Sequence, residues 1–308
     1  MHKLSITSRA LTANLKGGII IAEKLEEALK PKNDYVFKRI FGHKGNEDIT
    51  RGLINSILDR KVEIVDLDES PILEKDLKDD KLGILDIKAR LDDNILCDIE
   101  MQVVEYDNIE ERIMFYWSKL YTGEIHSGND YEVLNKTIVI LISDFELDAT
   151  KDIPKIHTKW EIREEEYSKI VLTEVLEIHI IEMPKLKKAM VNKKVDKKDK
   201  LLLWIMFMLS PEELGEEIMK ENEDIRKAKE ELEKIKQDKR ERELARLRMK
   251  HIMDQKAIQR YGFKEGIKQG IKQGKIEDAE IMLKLNIPIE KIIKITGLTE
   301  EEIRKINK

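Results

Sequence analysis

The stretch LDIKARLDDNILCDIEMQ, Leu85 to Gln102, decides how this chain is read. Apolar and polar residues take turns along it, the pattern of a β-hairpin with one packed face. Its polar positions include Asp86, Asp98, Glu100 and Gln102. Successive strand side chains point to opposite faces, so Asp98, Glu100 and Gln102 share one face while Ile99, Met101 and Val103 take the other. Whether Asp86 joins the polar face depends on the turn, because a slip of one residue flips every side chain. A two-residue loop at Asp93-Asn94 pairs Asp86 with Met101, whereas a three-residue loop, Asp92-Asp93-Asn94, pairs Asp86 with Glu100. Three-residue hairpins use a type I turn followed by a left-handed residue, which asparagine tolerates, and this favours the second register.

Two carboxylates so paired, about 4 Å apart, repel by roughly 4 kcal/mol at an effective dielectric of 20. A folded site bears this by protonating one group, by hydrating both, or by binding a cation. Few hard oxygen ligands, with positions left for water and substrate phosphate, suit Mg²⁺. The other reading of the same spacing is a solvated hairpin face with scattered acids.

Composition bounds the rest. The chain has 308 residues, enough for one or two domains with accessory elements; 39% are charged and only 5% aromatic, so long solvated helices are expected. A formal net charge of -5 argues against a protein that coats nucleic acid non-specifically, although a local basic surface is compatible with it. Cys97 is the only cysteine, which excludes a disulfide framework and a thiolate zinc site within one chain. The apolar runs Gly17–Ala22 and Leu201–Leu209 are too short for a signal peptide or a membrane span, which needs about 20 residues. A soluble, cytoplasmic protein with no membrane partner is expected.

Residues 1–30 read as an N-terminal extension. In KNDYVFKRIFG, Asn33 or Asp34 can cap a helix carrying Val36, Phe37, Ile40 and Phe41 on one side, and EDITRGLINSILDRK follows with the same spacing. Next come KVEIVDLDESPIL, the hairpin, a helix from about Asn108 to His126, the β-branched run KTIVILISDFEL and KIVLTEVLEIHIIEM. This order of elements predicts an α/β domain over 31–184, a mixed sheet flanked by helices. A helical region follows over 185–260. It opens on a segment, Lys185–Lys200, with eight lysines against two aspartates, which is either a solvated linker or a phosphate-contacting patch. Leu201–Leu209 then supplies a core helix, and a long charged helix covers about Glu221 to Ile258 without a regular heptad.

In the tail, 261–308, Gly262, Gly266, Gly270 and Gly274 recur every four residues in YGFKEGIKQGIKQGK. On a helix they form a stripe for close packing, at a cost of about 1 kcal/mol each relative to alanine; otherwise they form a hinge. NIPIEKIIKITGLTEEEIRKI reads as two short helices, with Pro288 at the first turn of one and Thr299 with Glu302 as a capping box for the other. Neither carries a cluster of groove-reading Arg or Asn, so a protein-contact or packing role is expected of this helix-turn-helix.

Taken together, NDYVFKRIFG, LDIKARLDDNILCDIEMQ with ERIMFYWSKLY after it, and YGFKEGIKQGIKQG near the end resemble the PD-(D/E)XK nuclease family transposases, also called recombination-promoting nucleases. The resemblance implies a restriction-endonuclease-like core and places the first acidic position on Asp86, the second on Glu100, and the usual lysine position on Gln102. It also implies supporting roles for Asp34 at the start of the leading helix and for Arg112 and Tyr116 one turn apart after the motif. Asp34 is equally readable as a helix cap, and Tyr116 as a packing residue. The implied function is Mg²⁺- or Mn²⁺-dependent cleavage of DNA, with Asp86, Glu100 and the Met101 carbonyl as metal ligands, Gln102 holding the water, and a homodimer where both strands are cut. The alternative is a catalytically degenerate nuclease fold that serves as a DNA-binding or protein-interaction module.

Overall fold

A computed structural model describes residues 26–68, 86–191 and 198–306. The expectations for residues 1–25 of the N-terminal extension, for the last five residues of KVEIVDLDESPIL and for the middle of the lysine-rich segment lie outside the described residues. The chain divides into two compact units, Met1–Ile252 and Met253–Lys308.

The first unit opens with two helices, α1 (Asp34–Phe41) and α2 (Glu47–Leu58), separated at Gly42 to Gly45, where Gly45 takes a φ of 102°. Asn33 is the cap of α1, its side-chain oxygen accepting the Tyr35 N–H at 3.0 Å. The sheet strands are β1 (Ile64–Asp68), β2 (Ile87–Leu91), β3 (Leu96–Gln102), β4 (Thr137–Ser143), β5 (His157–Trp160) and β6 (Leu176–Glu182), with α3 (Ile109–Thr122) between β3 and β4. Their spatial order is β1-β2-β3-β4-β6-β5. Pairing is antiparallel for β1–β2, β2–β3 and β5–β6 and parallel for β3–β4 and β4–β6, so the sheet is mixed. The edge strand β5 is an addition to the expected elements. Its four residues, HTKW, are too few and too polar to show a period.

The strand β4 is buried along its whole length, as its β-branched run requires. Ile138, Ile140 and Ile142 point into the larger core with Phe37 and Phe41 of α1; Val139 and Leu141 point the other way, onto Ile109 and Ile113 of α3. After β6 come α4 (Pro184–Val191), α5 (Lys200–Leu209), α6 (Glu216–Glu221), α7 (Glu223–Gln237) and α8 (Lys239–Lys284). The apolar α5 closes the larger core, with Trp204 fully buried and edge-on to Phe41 at 5.4 Å between ring centres. The long charged helix expected over 221–258 is two helices, because Asp238 turns to an extended conformation at φ −76° and ψ 125°. The second of them continues through all four recurring glycines, so that segment is helix and not hinge. In the second unit the end of α8 packs on α9 (Ile289–Thr296) and α10 (Glu300–Ile306), joined through Gly297 at φ 69°. Thr299 and Glu302 form the expected reciprocal cap at 2.9 and 3.2 Å. No helix among the described residues is long and apolar enough to cross a membrane.

The hairpin register is the three-residue one. Ile87 faces Ile99, Lys88 faces Asp98 and Ala89 faces Cys97, with Asp92–Asn94 as the loop. The loop departs from the expected single left-handed residue: Asp93 and Asn94 both have positive φ, 57° and 56°. Short polar side chains tolerate that region, whereas a β-branched one does not. Asn94→Val is therefore expected to destabilise the protein by about 1–2 kcal/mol, seen as a lower urea midpoint, while Asn94→Gly leaves the midpoint unchanged or raised.

Candidate active site

Register and pleat bring Asp86 and Glu100 together. Asp86 lies one residue before β2, and its backbone N–H donates to Glu100 Oε1 at 3.0 Å. In return Asp86 Oδ2 accepts the Met101 N–H at 3.0 Å. The Gln102 carbonyl accepts from the Asp144 N–H on the β4 side, so alternation turns both Met101 backbone groups toward the opposite edge, where Asp86 stands. The Met101 carbonyl is thereby directed to the same edge as the two carboxylates.

The third member of the group was not anticipated. Lys38, on α1, sets its ammonium 2.8 Å from Asp86 Oδ1. Burial alone would lower the pKa of this lysine, but Asp86, with Asp34 and Glu100 behind it, outweighs burial and holds the ammonium above its usual value. The residue sits within NDYVFKRIFG, one turn after Asp34, yet nothing in that spacing says that its side chain crosses to β2.

Asp98 was noted on the polar face without a role, and the structure makes it the most constrained acid of the set. It is fully buried, and its carboxyl has no hydrogen-bond partner other than the neighbouring Glu100 carboxyl. Burial and the charge of Asp86 push its pKa well up; Glu100 is raised in the same direction by burial, by Asp86 and by Asp98. Two such groups on one face of β3 share a proton more readily than they carry two charges.

Arg112 and Tyr116 meet as expected, the guanidinium donating to the Tyr116 hydroxyl at 2.6 Å. The Arg112 guanidinium also lies 4.6 Å over the Tyr106 ring. Tyr116 is buried, and burial together with the negative field of Glu100 and Asp86 raises its hydroxyl pKa, so this pair on α3 stands beside the carboxylates. Gln102 is half-buried and turns an amide N–H to the Val104 carbonyl at 2.8 Å. Asp34 is not the cap of α1. Its Oδ1 accepts the Tyr35 N–H at 2.9 Å, and its Oδ2 pairs with Arg248 of α8 at 2.6 Å.

Among the described residues no three His, Cys, Asp or Glu side chains are grouped to hold a metal ion. Asp86 and Glu100 supply two hard oxygen ligands, and Asp98, buried next to them with no basic side chain hydrogen-bonded to it, adds to the negative field there. That donor set would suit a hard divalent cation that keeps several waters.

The raised carboxyls have a consequence for stability. The folded chain binds more protons than the unfolded one between the ordinary carboxylate pKa and the raised folded values, so stability falls as pH climbs through that window. Asp98→Asn removes one of the two groups, and its amide can donate to Glu100. The variant is expected to be more stable than the wild type near neutral pH by about 1–3 kcal/mol, with the difference vanishing in mild acid, as thermal melts across pH without divalent metal would record.

A family model described as PD-(D/E)XK nuclease family transposase matches residues 31–262. No curated protein and no solved structure matches the chain. The matched span runs from α1 with Lys38, through the hairpin and α3, into the long helix α8. Its mixed six-stranded sheet flanked by helices is consistent with a restriction-endonuclease-like fold. On that match, the chain belongs to the PD-(D/E)XK nuclease family transposases.

Proposed function

We propose that this protein is a Mg²⁺- or Mn²⁺-dependent endonuclease that hydrolyses phosphodiester bonds in DNA, in recombination or on mobile elements. Family membership supports a nuclease tied to mobile elements. The observation that carries the finer reading is the side-by-side placement of Asp86 and Glu100, each bonded to a backbone N–H of the other's strand, with Lys38 against Asp86. Residues 31–184 would form the catalytic domain.

In this reading Asp86, Glu100 and the Met101 carbonyl hold the cation. A divalent ion there lowers the pKa of a bound water and neutralises charge that builds on the scissile phosphate. Gln102 uses its amide to orient the attacking water. Unlike the lysine usual at that position it brings no charge, and Lys38 supplies the cation instead, reaching the reacting group from α1. Arg112, fixed by Tyr116 and Tyr106, contacts a flanking phosphate or the Glu100 carboxylate. Asp34 holds Lys38 at the required height through its own pairing with Arg248. Cutting both strands requires two such sites and hence two copies of the chain.

Purified protein is expected to nick supercoiled plasmid with Mg²⁺ or Mn²⁺, and the Asp86→Ala, Glu100→Ala double variant to show no cleavage above background. Equal, background-level cleavage by both proteins across several divalent metals would sink the reading. Lys38→Met is expected to slow cleavage about 10²-fold, the scale for one lost charge-stabilising donor. It should also tighten Mg²⁺ uptake in calorimetry without DNA, because Asp86 then loses the ammonium that competes with the metal.

A further inference from the structure

Among the described residues of the second unit, one helix face has nothing packed on it. Phe263, Ile267, Ile271, Ile281 and Leu285 project from the end of α8 and the residue after it, each between 48% and 74% exposed. Around Gly262, Gly266, Gly270 and Gly274 the space that a Cβ would occupy has nothing within 4 Å. The opposite side of the same helix is the one that packs, through Ile276, Ala279, Met282 and Leu283 on α9 and α10, with Lys272 paired to Glu302 at 2.8 Å.

The exposed residues fall into two rows. Ile267, Gly274 and Ile281 are seven apart, as are Ile271, Asp278 and Leu285. Interleaved, they make one seam with alternating steps of four and three residues, the spacing at which one helix meets another along its length. What the seam fits is set by its two odd members. Against a parallel copy of itself, Asp278 would meet Asp278, two carboxylates in an apolar layer. Against an antiparallel copy, Ile267 meets Leu285, Ile271 meets Ile281, and Asp278 meets Gly274, where no side chain competes for the space. Charge runs the same way. Within the paired length, residues 267–275 carry Lys268 and Lys275 beside the seam, Lys272 being engaged with Glu302 on the packed side, whereas 276–285 carry Glu277, Asp278 and Glu280 against Lys284. Antiparallel pairing sets the basic half of one copy on the acidic half of the other.

We infer that the seam from Ile267 to Leu285 is a two-fold interface that takes the same seam of a second copy of this chain, antiparallel, with Gly274 receiving Asp278. A surface complementary to its own reverse is what an isologous dimer requires. Gly274, which weakens a helix standing alone, then serves close approach of the two backbones at the centre of the seam. The inference is independent of the catalytic reading, and an Asp86→Ala variant should associate as the wild type does.

Light scattering on the full-length chain after size exclusion is expected to give twice the monomer mass of 36.1 kDa. Ile267→Lys with Ile281→Lys should return it to monomer with the helical circular dichroism intact. Gly274→Leu is the second variant, since it raises helix propensity yet fills the space opposite Asp278, and it too should be monomeric. For orientation, Ile271→Cys and Ile281→Cys proteins should form a disulfide-linked dimer when mixed and oxidised, and neither should do so alone; Cys97 is buried and does not compete. A monomeric wild type, or variants that remain dimeric, would overturn the interface. Self-linking of Ile271→Cys alone would overturn the antiparallel arrangement.

Discussion

Carboxylates buried next to one another are unfavourable unless a cation or a proton stands with them, and the site is built around this constraint. Asp86, Asp98 and Glu100 are brought together by one hairpin register, and two of the three are buried with raised pKa values. Lys38 is the charge that the fold itself contributes. The register is in turn held by a loop of three short polar residues, two of them left-handed, so a local feature of backbone chemistry fixes which acids meet.

Lys38 can do this only if α1 is held against the sheet edge, and much of the first unit serves that end. Val36, Phe37, Ile40 and Phe41 anchor the helix in the larger core, and α5 covers it with Trp204 and Phe207. The start of α1 is tied to the first turns of α8 by polar contacts. The Asn33 amide donates to the Ala245 carbonyl at 3.1 Å, the Tyr35 hydroxyl to Glu241 at 2.8 Å, and Arg39 reaches the same Glu241 at 3.0 Å. Asp34 completes the set through Arg248. Most of these groups are partly or wholly withdrawn from water, where such bonds are stronger than at the surface and costly to leave unmade. The helices after Pro184 therefore brace the element that carries the lysine.

The hairpin was legible because its information is local. Alternation gives the faces, and the turn residues give the register. The β-branched run of β4 was legible for the same reason, whereas the helix expected to reach His126 ends at Thr122. Contacts between distant elements were not legible. Lys38 reaches Asp86 across 47 intervening positions in the chain, and its neighbours in sequence give it the look of a solvated helix residue. Asp98 carries the same pattern signal as Glu100; only burial by α3 and β4, which is a property of the assembled layers, separates its fate from that of a surface acid. The break at Asp238 escaped notice because charged residues on both sides favour helix equally, and the turn is set by how α7 packs on α1 and α2.

Moving the positive charge from the strand to α1 changes more than its address. A lysine at position 102 would be carried rigidly by β3, two residues from Glu100, and would share every displacement of that acid. Lys38 comes from a separate layer on a long flexible stem and rests on Asp86. An ammonium at that oxygen occupies the position that a metal ligand must surrender. Under the proposed reading, Asp86 would hold either the ammonium or a metal ion at that oxygen, and Lys38 would be available to substrate only where the carboxylates are otherwise neutralised. Gln102 fits this arrangement because a second ammonium beside Glu100 would compete with the cation in the same way. An uncharged amide, held by the Val104 carbonyl, leaves that competition to Lys38 alone.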